Sequence, residues 1–170
     1  NFNITIYNNE NSHILTTAKL IKSSNHIFEK DLNFVENCKV KRKIAKEIYV
    51  NEKLLNDNYG ASYQLINFIE FNDEIIFSSI KEPETNLDNS IASVQQLYAV
   101  LDSGILLFNT DKTYSIKKIG KLTVFKKWNS NLIMRAKKKT NTPQMVDIIV
   151  EDGFGEKVAE FQAVKFESIG

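Results

Sequence analysis

Leu55-Asn-Asp-Asn-Tyr-Gly-Ala-Ser-Tyr-Gln64 is a polar, turn-forming stretch that ends on two aromatics, and the order of the elements after it sets the fold. Tyr59 to Phe71 reads as a long strand, with Tyr63, Leu65 and Phe68 among its apolar positions. Asn72-Asp73 is a turn into a second strand, Glu74 to Ile80, and Pro83, which has no N–H to give a ladder, ends the pair. From Leu87 to Leu101 the apolar residues Leu87, Ile91, Val94, Leu97, Tyr98 and Leu101 recur at three- and four-residue steps, so the spacing predicts one helical face. Further strands are predicted at Tyr114 to Phe125, Leu132 to Lys139, Met145 to Glu151 and Glu156 to Phe166. Asn141-Thr-Pro143 and Asp152-Gly-Phe-Gly155 are the turns between the later ones. One helix set among antiparallel strands is an α+β arrangement.

Upstream, Phe2, Ile4 and Ile6 alternate with polar residues, and Asn8-Asn-Glu-Asn-Ser12 supplies turn chemistry before a second run, His13 to Ile21. A β-hairpin is expected there. The polar connector after it is long for a loop inside one compact unit and is read as a boundary. Residues 1–22 are therefore assigned to the end of one unit, 23–47 to a linker and 48–170 to a second unit.

The chain has 170 residues, enough for one proper core, and 22 basic against 21 acidic residues leave a formal charge of +1. Such a balance creates no global field to recruit nucleic acid or an anionic membrane, and neither partner is expected. A single cysteine, Cys38, cannot form an internal disulfide and reads as a small packing residue beside Val40. With no signal-peptide pattern and no long apolar run, the expected setting is cytoplasmic.

Tyr59, Gly60, Tyr63 and Gln64 resemble the "G-x-x-Y-G-P-x-F-Q" signature of polyketide synthase dehydratase domains, with Ala61 in place of proline and Tyr63 in place of phenylalanine. Cys38 to Tyr49 resembles that family's linker, Tyr114-Ser-Ile-Lys-Lys-Ile119 its "P-F-S-I-x-x-[VI]" strand, and Val146 to Val158 its closing "D-x-x-G-x-x-V-A" hairpin. The resemblance implies a hotdog fold, an antiparallel sheet wrapped around a central helix, with residues 48–170 as the C-terminal half of a double hotdog. Residues 1–22 then correspond to the last strands of the N-terminal half, and the chain is expected to be a segment of a larger enzyme. The implied activity is loss of water from a 3-hydroxyacyl thioester; the alternatives are a catalytically degenerate dehydratase-like domain with a structural role, or a variant that isomerises a double bond or adds a nucleophile to an unsaturated thioester (a cyclase or branching domain). No cofactor is implied, because the substrate rides on the phosphopantetheine arm of an acyl carrier protein. Carrier protein, neighbouring synthase domains and a second copy of the domain in a homodimer are the implied partners.

Dehydration needs a base for the weakly acidic α-proton and an acid for the departing hydroxide, both facing the same two carbons. In the family a histidine from the N-terminal hotdog is the base, in "H-x-x-x-G-x-x-x-x-P", and neither His13 nor His26 has glycine four residues on. The base is therefore expected outside this chain. Two scattered histidines and one cysteine also offer no metal-ligand spacing.

The family's acid stands in "H-P-x-L-L-D-x-x-x-[QH]", near the start of the central helix, with an amide or imidazole one turn later to orient it. Helical phase puts Asp88 at the acid position, leaving Ala92 where the orienting group belongs. Another register puts Ser93, Val94 or Gln95 there and supplies no carboxyl. Asp88 also fits a plain helix N-cap, and Asp102, before Ser103-Gly104, fits a helix stop. Tyr59 carries over as the phenol that points into the substrate tunnel, and Gly60 as the place where backbone can pass close to a pantetheine arm. A strand-opening Tyr-Gly that merely packs is the alternative. Basic clusters at Lys117-Lys118, Lys126-Lys127 and Arg135 to Lys139 suit either an acidic carrier protein or the protection of strand edges.

Overall fold

A computed structural model describes residues 2–7, 14–20, 41–51, 60–84, 91–108, 112–128, 130–142 and 144–169. Near the N-terminus β1 (Phe2–Tyr7) and β2 (Ile14–Leu20) pair antiparallel, as the alternation requires. The main body comprises β3 (Lys41–Ile44), α1 (Ala45–Asn51), β4 (Ile66–Phe71), β5 (Ile75–Ile80), α2 (Val94–Leu106), β6 (Thr113–Val124), β7 (Leu132–Lys138), β8 (Met145–Asp152) and β9 (Lys157–Ile169). Its strands form one antiparallel sheet in the order β3-β4-β5-β7-β8-β9-β6. α2 touches β4, β5, β7, β8 and the far edge strand β6, so the sheet curls around it. The architecture is the α+β hotdog that the resemblance implies.

Period-two alternation builds the lining of that curl. Val146, Ile148 and Val150 on β8, Met134 and Ala136 on β7, and Ile76, Ser78 and Ile80 on β5 are all fully buried. Register aligns them across the sheet, with Ile76 opposite Ala136 and Ala136 opposite Ile148. α2 settles closely on this surface through Gly104, where an added Cβ would stand 3.2 Å from the Phe166 ring and 3.4 Å from Ile148 Cδ1. One turn of polar chemistry pins it further: the buried hydroxyls of Ser103 and Ser78 lie 2.9 Å apart, and Ser103 also bonds the Ala99 carbonyl at 2.7 Å.

The turns are set by their side chains. Asn72 Oδ1 accepts the N–H groups of Glu74 and Ile75 between β4 and β5. Asp152 Oδ1 does the same for Phe154 and Glu156 between β8 and β9, while its other oxygen pairs with Lys126. Hydrogen bonding to Lys126 holds the Asp152 carboxyl below the usual range. β9 carries a bulge at Ala163, whose φ of 54° is left-handed. Its N–H donates to Asp147 Oδ1 at 2.7 Å, which anchors the bulge to β8.

Several sequence expectations differ from the structure. The strand expected from Tyr59 begins at Ile66; residues 61–63 form a 3-10 turn, closed by Tyr63 N–H to Gly60 O at 2.9 Å and Gln64 N–H to Ala61 O at 3.1 Å. These local bonds use donors that a ladder would need. β3 and α1 fall within and just after the end of the stretch read as a connector, with β3 paired to β4.

The helix expected over Leu87 to Leu101 is Val94–Leu106. Ser93 is extended at ψ 133° and its hydroxyl accepts from Gln96 N–H, which makes it the N-cap; Asp88, read as a possible cap, lies outside the described residues. At the far end Asp102 is not a stop: Asp102, Ser103 and Gly104 continue the helix and are buried. Of the two leucines on the expected face, Leu101 is buried and Leu97 half-buried against the core.

Candidate functional site at the N-terminal end of α2

The signature segment and the central helix meet. Gly60 opens the 3-10 turn at φ −55° and ψ 158°, values open to any residue, and a Cβ added there would meet nothing within 4 Å. The fold itself does not demand glycine at this point. Three residues on, the half-buried Tyr63 packs edge to face on Tyr98 of α2, with ring centroids 5.8 Å apart and planes at 77°. Val94 and Tyr98 are exposed on this side of the helix, as is Ile91 just ahead of it, while Leu101 and Ile105 on the next turns are buried.

Around the helix start the chain gathers amides and a hydroxyl. Ser93 Oγ lies 2.8 Å from Gln95 Oε1. Gln96 is 1% exposed, and its Nε2 donates to Ser130 O at 2.8 Å and Lys81 O at 3.3 Å, joining α2 to the loops after β5 and before β7. Two carbonyls can only accept, so the amide orientation is fixed and Oε1 is turned away from them. Among the described residues that buried oxygen has no hydrogen-bond partner. Trp128 closes the same end, its backbone N–H donating to Ile91 O at 2.8 Å, its ring against Phe161 and its buried Nε1 also unpaired.

Asp102 supplies the only carboxyl on α2. It is 8% exposed, and among the described residues no donor or cation reaches it. Desolvation by burial raises its pKa from 3.8 to about 7. Sequence reasoning missed both Gln96 and Asp102 as buried polar groups. The signal for Gln96 was a glutamine in phase with Ala99, Val100 and Ser103; Asp102 was masked by the Ser-Gly after it, which imitates a helix end.

Of the residues singled out from sequence, Tyr59, Asp88, Cys38, His13 and His26 lie outside the described residues. Part of each basic cluster is engaged in an ion pair: Lys117 with Glu167, Lys126 with Asp152 and Glu156, Arg135 with Glu151, and Lys139 with Asp147. Among the described residues no group of three His, Cys, Asp or Glu is placed to hold a metal ion. No described helix is long and apolar enough to cross a membrane.

No family model matches the chain, and no curated protein does. Solved structures do. The dehydratase domain from the CurF module of the curacin polyketide synthase superposes with a TM-score of 0.70 at 18% identity, covering 91% of this chain and 56% of that one. An inactive mutant of the CurK dehydratase gives 0.66 at 18% identity, covering 76% and 49%. The enoyl-isomerase of a trans-acyltransferase polyketide synthase gives 0.55 at 16% identity, covering 76% and 57%. The chain thus spans about half the length of these structures and shares the fold of polyketide synthase dehydratase domains.

Proposed function

We propose that the chain is the C-terminal hotdog of a dehydratase-type domain of a polyketide synthase, acting on a 3-hydroxyacyl thioester held by an acyl carrier protein. The observation that supports this reading is the packing of Tyr63 on Tyr98, which holds the Gly60-to-Tyr63 part of the signature against the central helix. Gly60, exposed and not required by the fold, leaves room there for a pantetheine arm. In this reading Tyr59 positions the substrate, Asp88 gives its proton to the leaving hydroxyl, and the base that removes the α-proton comes from outside this chain. Neighbouring synthase domains and a second copy in a homodimer complete the assembly.

A second reading is favoured by the position of the helix cap. With Ser93 as N-cap, residues 91–97 contain no carboxyl, and Asp88 stands five positions ahead of the cap. A site of this kind shifts a double bond or adds a nucleophile to an unsaturated thioester without expelling water, in line with the enoyl-isomerase among the structural neighbours. Carrier-bound 3-hydroxyacyl and enoyl substrates, incubated with the native protein and its Asp88→Asn and Tyr59→Phe variants in deuterated water, separate the two. Dehydration abolished by Asp88→Asn and slowed by Tyr59→Phe supports the first reading. Deuterium uptake without water loss, unaffected by Asp88→Asn, supports the second.

A further inference from the structure

We infer that Asp102 is a specificity-determining residue, which hydrogen-bonds an oxygen substituent of the acyl chain remote from the thioester, at the inner end of a stripe that runs along α2. This rests on the reading that the N-terminal end of this helix handles an acyl thioester. Val94, Tyr98 and Asp102 stand four residues apart and so share one side of α2. Exposure falls along that stripe, from 56% at Val94 to 42% at Tyr98 and 8% at Asp102. The stripe is therefore open at the capped end of the helix and closes inward, beside buried Leu101 and Ile105. Val94 and Tyr98 give it apolar surface, joined at its outer end by exposed Ile91. At 1.5 Å of rise per residue, Asp102 lies about 12 Å inward of Val94 along the helix.

The inner end of the stripe is a polar group with nothing to bind. Among the described residues the sealed, unpaired side-chain atoms are Gln96 Oε1, Trp128 Nε1, Arg135 Nε and Glu151 Oε2, whereas the Asp102 oxygens are unpaired without being sealed. An opening reaches them. Because the Cα–Cβ bond of a helical residue leans toward the helix N-terminus, the carboxyl lies over the Tyr98 turn and faces the open end of the stripe. A carboxyl so placed has given up hydrogen bonds to water and gained none, a cost that a bound oxygen group would offset. Burial keeps it largely as the neutral acid up to about pH 7, so it both donates and accepts. A hydroxyl or ketone oxygen matches that character; an ammonium would first have to shed its water. An apolar chain laid over Val94 and Tyr98, with its reacting carbons at the helix start, brings such an oxygen to Asp102. Asp102 thereby selects among chains by a group that takes no part in the reaction.

The test is calorimetric titration of the native protein with dodecanoyl-pantetheine and its 5-, 7-, 9- and 11-hydroxy derivatives, which differ only in where the hydroxyl stands. Wild type is expected to bind the 9- or 11-hydroxy probe roughly threefold to tenfold more tightly than the 5-hydroxy probe, the worth of one hydrogen bond. Asp102→Leu should level the series while leaving affinity for dodecanoyl-pantetheine within about twofold; a purely structural aspartate would shift all five probes alike. Asp102→Asn, which still donates and accepts, should keep the preference. Asp102→Ala removes the carboxyl without adding bulk and repeats the test if leucine is not accommodated. A wild type indifferent to hydroxyl position, a preference that survives loss of the carboxyl, or equal weakening of all five probes overturns the inference alone. Failure of wild type to bind any of the five overturns it together with the acyl-thioester reading.

Discussion

Tyr63 and Tyr98 meet edge to face with centroids 5.8 Å apart, and through them the segment just after Tyr59 is fixed to the central helix. Neither residue lies in the apolar floor of the sheet. The contact belongs to the side of α2 that carries exposed Val94, so it positions a surface loop rather than filling a core.

A double-mutant cycle on Tyr63→Leu and Tyr98→Leu should therefore give a coupling of about 1 kcal/mol in urea denaturation, the typical worth of an aromatic pair beyond its area. Additive effects would show that the two rings do not hold the segment.

Asp102 gives the protein a pH dependence with a definite sign. Its folded pKa, about 7, lies above the unfolded value near 3.8, so the folded state keeps a proton that the unfolded chain releases. Its contribution to stability is most favourable below about pH 4 and falls as pH rises to about 7, by up to ~4 kcal/mol if the whole shift is expressed. Asp102→Asn should remove that slope: near neutral stability change at pH 4, and a higher melting temperature than wild type at pH 8. Parallel melting curves of the two proteins across this range would contradict a carboxyl whose pKa is raised by burial.

Gly120 on β6 faces the β9 bulge, where an added Cβ would stand 2.9 Å from both Ala163 Cβ and the Gln162 carbonyl. Backbone cannot step aside as a flexible side chain can. Gly120→Val should cost roughly 1–3 kcal/mol in chemical denaturation, as overpacking does. A stability change near zero would mean that the bulge held by Asp147 is looser than its hydrogen bond implies.

Much of this fold was legible because period-two alternation is written plainly in β5, β7, β8 and β9, with turn residues between them. Buried Val146, Ile148 and Val150 alternate with half-buried Met145, Asp147 and Ile149, a period that a strand fits and a helix does not. The helix was legible in kind but not in place. Leu87 and Ile91 extend the apolar period upstream, yet Ser93 takes the cap and Ile91 instead accepts the Trp128 N–H, a contact from residues far along the chain. The 3-10 turn at 61–63 was hidden for a related reason, since Tyr63 and Leu65 alternate like a strand while local i to i+3 bonds win. At the site, the meeting of Tyr63 with Tyr98 and the orphaned oxygen of Gln96 are tertiary facts that spacing does not encode. Tyr59 and Asp88 came only from resemblance, and both lie outside the described residues.

The central claim, that this fold handles a carrier-bound acyl thioester, is tested most directly by intact mass spectrometry of an acyl carrier protein loaded with a 3-hydroxyacyl chain and incubated with the native protein. The account expects the chain to lose water or, from the enoyl form, to exchange hydrogen with solvent, at rates above the carrier alone. Folded protein that leaves several chain lengths unchanged in mass and isotope content would contradict it and assign the domain a structural role.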